Sequence, residues 1–383
     1  MCAHYTGSAT FCFSLSTLLK GFPIKAELPE PHGYFKTGNI PLFLIFVTHL
    51  VLARIMDIAF CINEAYAIHI STLMASILAN TPTRPLTFHI VSSDLTPETE
   101  ERLRQQAQVQ HAQVVLHKVG NAVHKIITAL PSSSAHISND VYNRYLLADL
   151  LPQLDRVLYM DGDIVVQGDL TPLWKTPLEG LCCAGVEDRY INRIGHKEAL
   201  GLRPEEPYLN GGVLLINLRY WREHQLGEAL IRLTQTKGNA LPYKDQDALS
   251  LLARGHLCRV DERFNFALDN VLFAPSQLVY SAVVLHYTGA EKPWTSIFSG
   301  IHPLGWRYQH YLRETPYRHV YDNNRKTHRG AYLFQRTKTY SARYFSFFGG
   351  LWHFAIDRRG APHYQKAPVD ADGPHAMYDP KLW

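Results

Sequence analysis

Asp161 and Asp163 flank Gly162 directly after the apolar run Val157-Leu158-Tyr159-Met160 and directly before Ile164-Val165. In extended chain, residues two apart project to one face, so the two carboxylates point together while the glycine leaves the opposite side open to backbone or ligand. Two carboxylates at a strand end suit a hard divalent cation. Mg²⁺ or Mn²⁺ is the expected occupant, because such ions keep few protein ligands and complete their shell with diphosphate oxygens and water. A bare Asp-x-Asp is also a common solvated turn, so the reading depends on three further segments.

One is Tyr208-Leu209-Asn210-Gly211-Gly212, a small-residue turn feeding the apolar run Val213-Leu214-Leu215-Ile216. Here a sugar could lie close to backbone, although an ordinary turn has the same composition. Lys244-Asp245-Gln246-Asp247 opens a helical pattern, where acids act as caps on the helix dipole unless a ligand reaches them. The third follows Ala282-Val283-Val284-Leu285 and reads His286-Tyr287-Thr288-Gly289-Ala290-Glu291-Lys292-Pro293-Trp294. A lone histidine after a strand is often structural. With Gly289 permitting a tight turn and Lys292 offering a point charge for phosphate, the segment looks like a metal and diphosphate clamp.

These segments need a scaffold, and the residues upstream supply its pattern. Residues 57–62 (DIAFCI) read as a buried strand, 66–78 as a helix and 86–91 (LTFHIV) as the next strand. Thr96 is placed to cap a helix with Pro97 in its first turn, and 114–116 make a weaker third strand. Ser138 is expected to cap a helix through Leu150 that Pro152 closes, after which 156–160 enter the sheet and end at Asp161. This alternation predicts a parallel, doubly wound α/β sheet with ligands at the carboxyl ends of its strands.

Composition narrows the class. With 383 residues, a net charge of +4 and 19% charged residues, the chain is neither a disordered acidic protein nor a globally basic nucleic-acid binder. Its six cysteines form no Cys-x-x-Cys pair, which indicates neither a zinc ribbon nor a disulfide framework and fits a reducing compartment.

The segments RVLYMDGDIVVQGDLTPLW, YLNGGVLLINLRYW, YKDQDALS and LHYTGAEKPW, in this order and spacing, resemble glycosyltransferase family 8, particularly the bacterial lipopolysaccharide galactosyl- and glucosyltransferases. The resemblance spans about Met56 to Trp294. It implies a GT-A fold with a mostly parallel, Rossmann-like sheet flanked by helices, a UDP-glucose or UDP-galactose donor, Mn²⁺ or Mg²⁺, and retention of anomeric configuration. A glycan or lipid-linked oligosaccharide acceptor and a cytoplasmic location go with it, and contact with the inner membrane face is an option that the C-terminal extension raises. By motif match, Asp161, Asp163 and His286 would be metal ligands, with Asp161 and Gly162 also meeting the donor. Gly289 and Lys292 would hold the diphosphate, Arg144 would be the donor-binding arginine, and Asn210 and Gly212 would line the sugar pocket. Asp245 and Gln246 match the family's sugar-contacting pair. Where the family often has a base-contacting Asp, this chain has Asn63, which can still donate to and accept from a uracil edge, and Tyr66 either stacks on the base or anchors its helix to the sheet.

That chemistry loads negative charge on the β-phosphate and positive charge on the anomeric carbon, so the metal, Lys292 and a helix dipole are expected to stabilise the leaving group. No carboxylate pair stands out for the double displacement of glycosidases. Gln246, with a neutral amide oxygen, is expected to steady the oxocarbenium-like transition state, with the departing phosphate as base.

Three parts of the chain are expected: an upstream segment 1–55, a catalytic domain 56–310 and a basic, aromatic extension 311–383. Residues 40–53 (IPLFLIFVTHLVLA) are too short and interrupted to span a bilayer, and the segment is expected to lie outside the working protein, with an anchor or an extra helix as alternatives. The extension carries 12 Lys and Arg against 6 Asp and Glu, and its interleaved rings and charges suit an anionic membrane surface as well as packing on the catalytic domain. Two other functions fit a similar fold: a catalytically silent nucleotide-sugar or glycan-binding protein, which would have lost the metal ligands, and a nucleotidyltransferase, which would need a Gly-rich basic loop that does not follow Phe60.

Overall fold

The structure is a computed structural model that describes residues 56–327 apart from 84, 132–138, 268–278, 280, 290–291 and 295–303. The upstream segment and the extension beyond residue 327 lie outside the described residues.

Strand β1 (Met56–Cys61) is followed by helix α1 (Ala67–Asn80), β2 (Leu86–Ser92), helix α2 (Pro97–Val109) and β3 (Ala112–Lys118). Then come β4 (Arg156–Met160), β5 (Ile164–Val166), β6 (Cys183–Glu187), the short helix α3 (Arg189–Arg193), β7 (Leu209–Asn217), helix α4 (Lys244–Leu252), β8 (Leu257–Arg259), β9 (Phe266–Ala267), β10 (Val284–His286), and helices α5 (Gly305–Leu312) and α6 (Arg318–Thr327). Thr96 caps α2 as its sequence predicts, its hydroxyl accepting from the Thr99 amide at 3.3 Å.

The main sheet runs β3-β2-β1-β4-β7-β6-β8. Its pairings are parallel except those of β7, which runs antiparallel to both β4 and β6. The sheet is therefore the mostly parallel one expected, with one reversed strand inserted. Alternate residues bury on opposite faces. Ile58, Phe60, Leu158, Met160, Val213 and Leu215 pack with Ile70, Leu73 and Leu103 of α1 and α2. Ala59, Val157, Tyr159, Leu214 and Ile216 pack on the other face with Tyr142, Tyr145 and Trp221.

A second sheet, β5-β10-β9, stands beside the first. β10 pairs antiparallel with β5 so that His286 lies opposite Ile164, and the Tyr287 amide donates to the Asp163 carbonyl at 2.9 Å. That register is what sets the histidine next to the acidic turn.

Two expectations change. The segment expected as a helix from Ser138 to Leu150 is a 3₁₀ stretch, Asn139–Leu146, with only Leu147–Leu150 α-helical, and Ser138 itself lies outside the described residues. Residues Tyr142, Asn143, Arg144 and Tyr145 are all buried, whereas a packed α-helix hides one stripe and exposes the other. The expected domain edge at residue 310 falls inside α5, whose Tyr308, Tyr311 and Leu312 share a core with Val165, Leu285, Tyr317 and Tyr321. Among the described residues no helix is long and apolar enough to cross a membrane, and Cys61, Cys182, Cys183 and Cys258 are unpaired.

Candidate active site

Because β4 and β6 run parallel, their carboxyl ends lie at one edge of the sheet, and the reversed β7 brings its amino end there too. Asp161 to Asp163 follow β4, Asp188 follows β6, and Asn210, Gly211 and Gly212 open β7. The Asp161 amide donates to the Gly212 carbonyl at 2.9 Å, joining the two segments through backbone.

Asp161, Asp163 and His286 each offer a ligand atom within 4.8 Å of the others. His286 Nε2 is 3.2 Å from Asp163 Oδ1 and 4.0 Å from Asp161 Oδ2. The remaining Asp161 oxygen accepts from Tyr159 Oη at 2.6 Å and Arg144 Nη2 at 2.9 Å, which holds the carboxylate in one orientation. Lys292 Nζ donates to Asp163 Oδ2 at 2.5 Å and to the Tyr287 carbonyl at 2.8 Å. Burial pushes the Asp163 carboxyl up, but the positive His286 and Lys292 beside it outweigh that and hold it well below the usual carboxylate range. Burial likewise pushes the His286 imidazole down, and the charge of Asp163 overrides it and raises the ring above its ordinary value. Two carboxylates and an imidazole converging in this way fit a divalent cation, since a metal can take the place of the proton that otherwise separates them.

Gly212 has a physical role beyond a turn. A Cβ there would stand 2.1 Å from His286 Cε1, so the ring lies directly on the glycine. Gly162 is not open on its far side, as extended geometry suggested. A Cβ would meet the Tyr66 ring at 2.9 Å. Tyr66 is edge-on to His69 and to Trp294, with centroids 5.3 and 6.1 Å away. His69 in turn stacks on Trp294 with centroids 3.6 Å apart, and its Nδ1 lies 2.6 Å from Tyr308 Oη on α5. The turn carrying Lys292 is thus anchored to α1 and α5 through Trp294. Gly289 adopts φ +83°, the left-handed conformation expected of it.

At the other end of the site the polar groups pair with one another. Arg144, buried under β7, has five N–H groups and five protein acceptors: the Val141 and Gly211 carbonyls, Tyr159 Oη, Asp161 and Asp245. It braces the metal turn against α4 rather than presenting a bare guanidinium. Gln246 accepts from the Gly211 amide at 2.9 Å and donates to Asp188 Oδ2 at 2.9 Å. Asn210 also donates to Asp188 Oδ2, at 3.0 Å, and its oxygen accepts from the Gly212 amide at 3.0 Å and from Asn265 Nδ2 at 2.8 Å. Asp245, partly buried, has its carboxyl raised by desolvation, with Arg144 opposing. Asp247 points away, into Tyr208 Oη, His196 Nε2 and the Tyr243 amide. Asn63 caps the 3₁₀ turn Glu64–Tyr66 through its oxygen and donates to Asp140 at 3.1 Å.

Sequence reading therefore named residues that the fold does bring together, and missed three. Asp188 ends a strand, a position where acids belong to sites, but 183–187 (CAGVE) is too small and short to announce itself as a strand. Asn265 and Tyr159 carry no local signal; only the tertiary pairing with His286 and Asp161 reveals them.

The chain matches the profile of Glycosyl transferase family 8 over residues 57–298. It is 27% identical over 255 residues to a lipopolysaccharide 1,2-glucosyltransferase of Escherichia coli K12, covering 61% of this chain and 73% of that protein. It is 24% identical over 277 residues to a lipopolysaccharide 1,3-galactosyltransferase of Salmonella typhimurium LT2, covering 69% and 79%. Among solved structures it is similar to the galactosyltransferase LgtC in complex with donor and acceptor sugar analogs, with a TM-score of 0.62 and 27% identity over 68% of this chain and 96% of that one. The profile match includes the acidic turn, the opening of β7, the start of α4 and the His286 to Trp294 segment, and the chain belongs to glycosyl transferase family 8.

Proposed function

We propose that this protein transfers glucose or galactose from a UDP-sugar to a lipopolysaccharide core or related surface glycan, with a bound divalent cation and with retention of configuration. The observation that carries the reading is the convergence of Asp161, Asp163 and His286 beside Lys292 at the carboxyl end of β4. The similar lipopolysaccharide glucosyl- and galactosyltransferases supply the acceptor class. An imidazole among the ligands favours Mn²⁺ over Mg²⁺, which prefers an all-oxygen shell.

When bound, the cation would neutralise charge developing on the diphosphate. Lys292 would leave Asp163 for a phosphate oxygen and add a second positive charge there. Gly289 would let the clamp backbone approach the diphosphate. Gly211 and Gly212, with the groups of Asp188, Asp245 and Gln246 around them, would receive the hexose. Asn63 keeps a second N–H and a second lone pair for a uracil edge while it holds Asp140 and the Tyr66 amide, and Tyr66 supports the acidic turn rather than offering a free ring face.

Retention then follows most simply from attack on the face that UDP leaves. Asp188 Oδ1 is committed to the Tyr190 and Ile191 amides and Oδ2 to Gln246 and Asn210. Asp247 is committed to three donors and Asp245 to Arg144. With the carboxylates occupied, the departing phosphate is the base that takes the acceptor proton. The test is incubation with Mn²⁺ across UDP-, GDP- and ADP-hexoses, with released nucleotide and the anomer of the product read by NMR. UDP release from one hexose, abolished by EDTA, is expected; turnover that EDTA leaves untouched overturns the metal-dependent reading.

A further inference from the structure

We infer that Asn265 is a positioning residue that fixes the tautomer of the metal ligand His286, and that a hydrogen-bonded relay through the amides of Asn265 and Asn210 and the carboxylate of Asp188 ties the metal centre to Gln246 in the sugar site. The assignment rests on two backbone N–H groups, whose polarity is not open to choice. The Gly212 amide donates to one side-chain atom of Asn210, so that atom is Oδ1. Asn265 lies 2.8 Å from the same oxygen and must present its NH₂ there, which turns its own oxygen toward His286. His286 Nδ1, 2.9 Å from that oxygen, must then carry the proton. The lone pair left for a metal is on Nε2, the atom that faces Asp161 and Asp163.

The other half of the relay is fixed in the same way. Asn210 turns its NH₂ to Asp188 Oδ2 at 3.0 Å, and the Gly211 amide, donating to Gln246 Oε1 at 2.9 Å, turns the Gln246 NH₂ to the same carboxylate oxygen at 2.9 Å. Five side chains thus form one hydrogen-bonded relay whose polarity is fixed at every link: His286, Asn265 and Asn210 donate in turn toward Asp188, and Gln246 donates to the same carboxylate from the other side. Metal-bound histidines characteristically donate their second N–H to such a partner, and loss of that partner weakens metal affinity about 10–100-fold. Asn265 is buried, so no water can replace it at no cost.

Asn265→Leu removes both hydrogen bonds at similar size, and Asn265→Asp keeps an acceptor for His286 Nδ1 but sets oxygen against oxygen at Asn210. Mn²⁺ titration followed by EPR, without any nucleotide sugar, should give Asn265→Leu about 10–100-fold weaker binding and Asn265→Asp binding close to the parent. With donor and saturating Mn²⁺, Asn265→Asp should lose kcat while keeping its metal affinity. In the parent protein, ¹⁵N NMR of His286 should show Nδ1 protonated both before and after Mg²⁺ addition, a readout that needs no substitution. Equal Mn²⁺ affinity in the parent and Asn265→Leu, or a proton on Nε2 alone, overturns the tautomer assignment. Unchanged kcat in Asn265→Asp overturns the coupling to Gln246. A parent protein that binds no Mn²⁺ overturns this assignment together with the metal-dependent reading of function, whereas binding without transfer refutes that reading and leaves the tautomer assignment standing.

Discussion

The two ends of the site solve opposite electrostatic problems. At the metal end, Asp161, Asp163 and His286 turn three ligand atoms toward one point, and Lys292, Arg144 and Tyr159 hold the outer carboxylate oxygens. At the sugar end, Asp188 accepts from Asn210 and Gln246, and the oxygens of Asn210 and Gln246 accept from the Gly212 and Gly211 amides. On the proposed function, one end is incomplete until a cation binds, and the other is complete by itself. An incomplete cluster should respond to single substitutions by losing ligand, and a complete one by losing geometry.

Asp163→Ala tests that contrast most severely. It removes a metal oxygen and leaves Lys292 and His286 without their shared carboxylate, so kcat/KM should fall by roughly 10³-fold or more. The check is UDP release at saturating Mn²⁺, and the far-ultraviolet spectrum should stay unchanged, because the residue is on a turn. Gln246→Ala, at the complete end, should cost kcat about 10²-fold and leave Mn²⁺ affinity alone. A Gln246→Ala variant with the parent's kcat would remove that residue from the mechanism. Gly212→Ala should do the reverse, displacing the His286 ring from a contact that a methyl would close to 2.1 Å. Its expected signature is metal affinity weaker by ~10–100-fold, with kcat largely recovered at high Mn²⁺.

How much of this was legible in the sequence follows from the same contrast. Groups that act as charges or as tight turns leave local marks: Asp161, Asp163, His286, Lys292 and Gly289 stand out in the sequence, along with β1, β2, β4 and the Thr96 cap. Groups that act by pairing across the fold leave none. The motif marks Arg144 as a donor contact, but its five bonds to the protein depend on a 3₁₀ segment where periodicity predicts a helix. The motif marks Asn210 and Gly212 as sugar-pocket residues but does not show that they also contact Asp188, Asn265 and the His286 ring. The edge at residue 310 was drawn from a change in charge, and charge does not report that Tyr308 reaches back to His69.

That reach gives the metal end a dry backing with its own pH signature. Burial pushes the His69 ring down from 6.5 to about 3, so the folded protein keeps it neutral where the unfolded chain takes up a proton. Its contribution to stability is complete above pH 6.5 and is lost progressively as pH falls from there toward 3. Urea midpoints measured across that window should fall with pH, and His69→Gln should flatten the slope by up to about 1.4 kcal/mol per pH unit. An unchanged slope would assign the acid sensitivity to other groups.

Tyr308→Phe isolates the smallest part of that backing. It keeps the ring that packs at 5.3 Å from Trp294 and removes only the hydroxyl 2.6 Å from His69 Nδ1. Loss of the buried hydroxyl, which also meets Thr72, should lower stability by about 1–2 kcal/mol. If the stack merely fills space, donor KM and kcat stay at the parent's values. If it holds Lys292 through Trp294, donor KM rises severalfold, Mn²⁺ affinity measured without donor is unchanged, and kcat at saturating donor is nearly kept. That split would distinguish a clamp that grips the diphosphate from the cluster that grips the metal, although the two share Asp163.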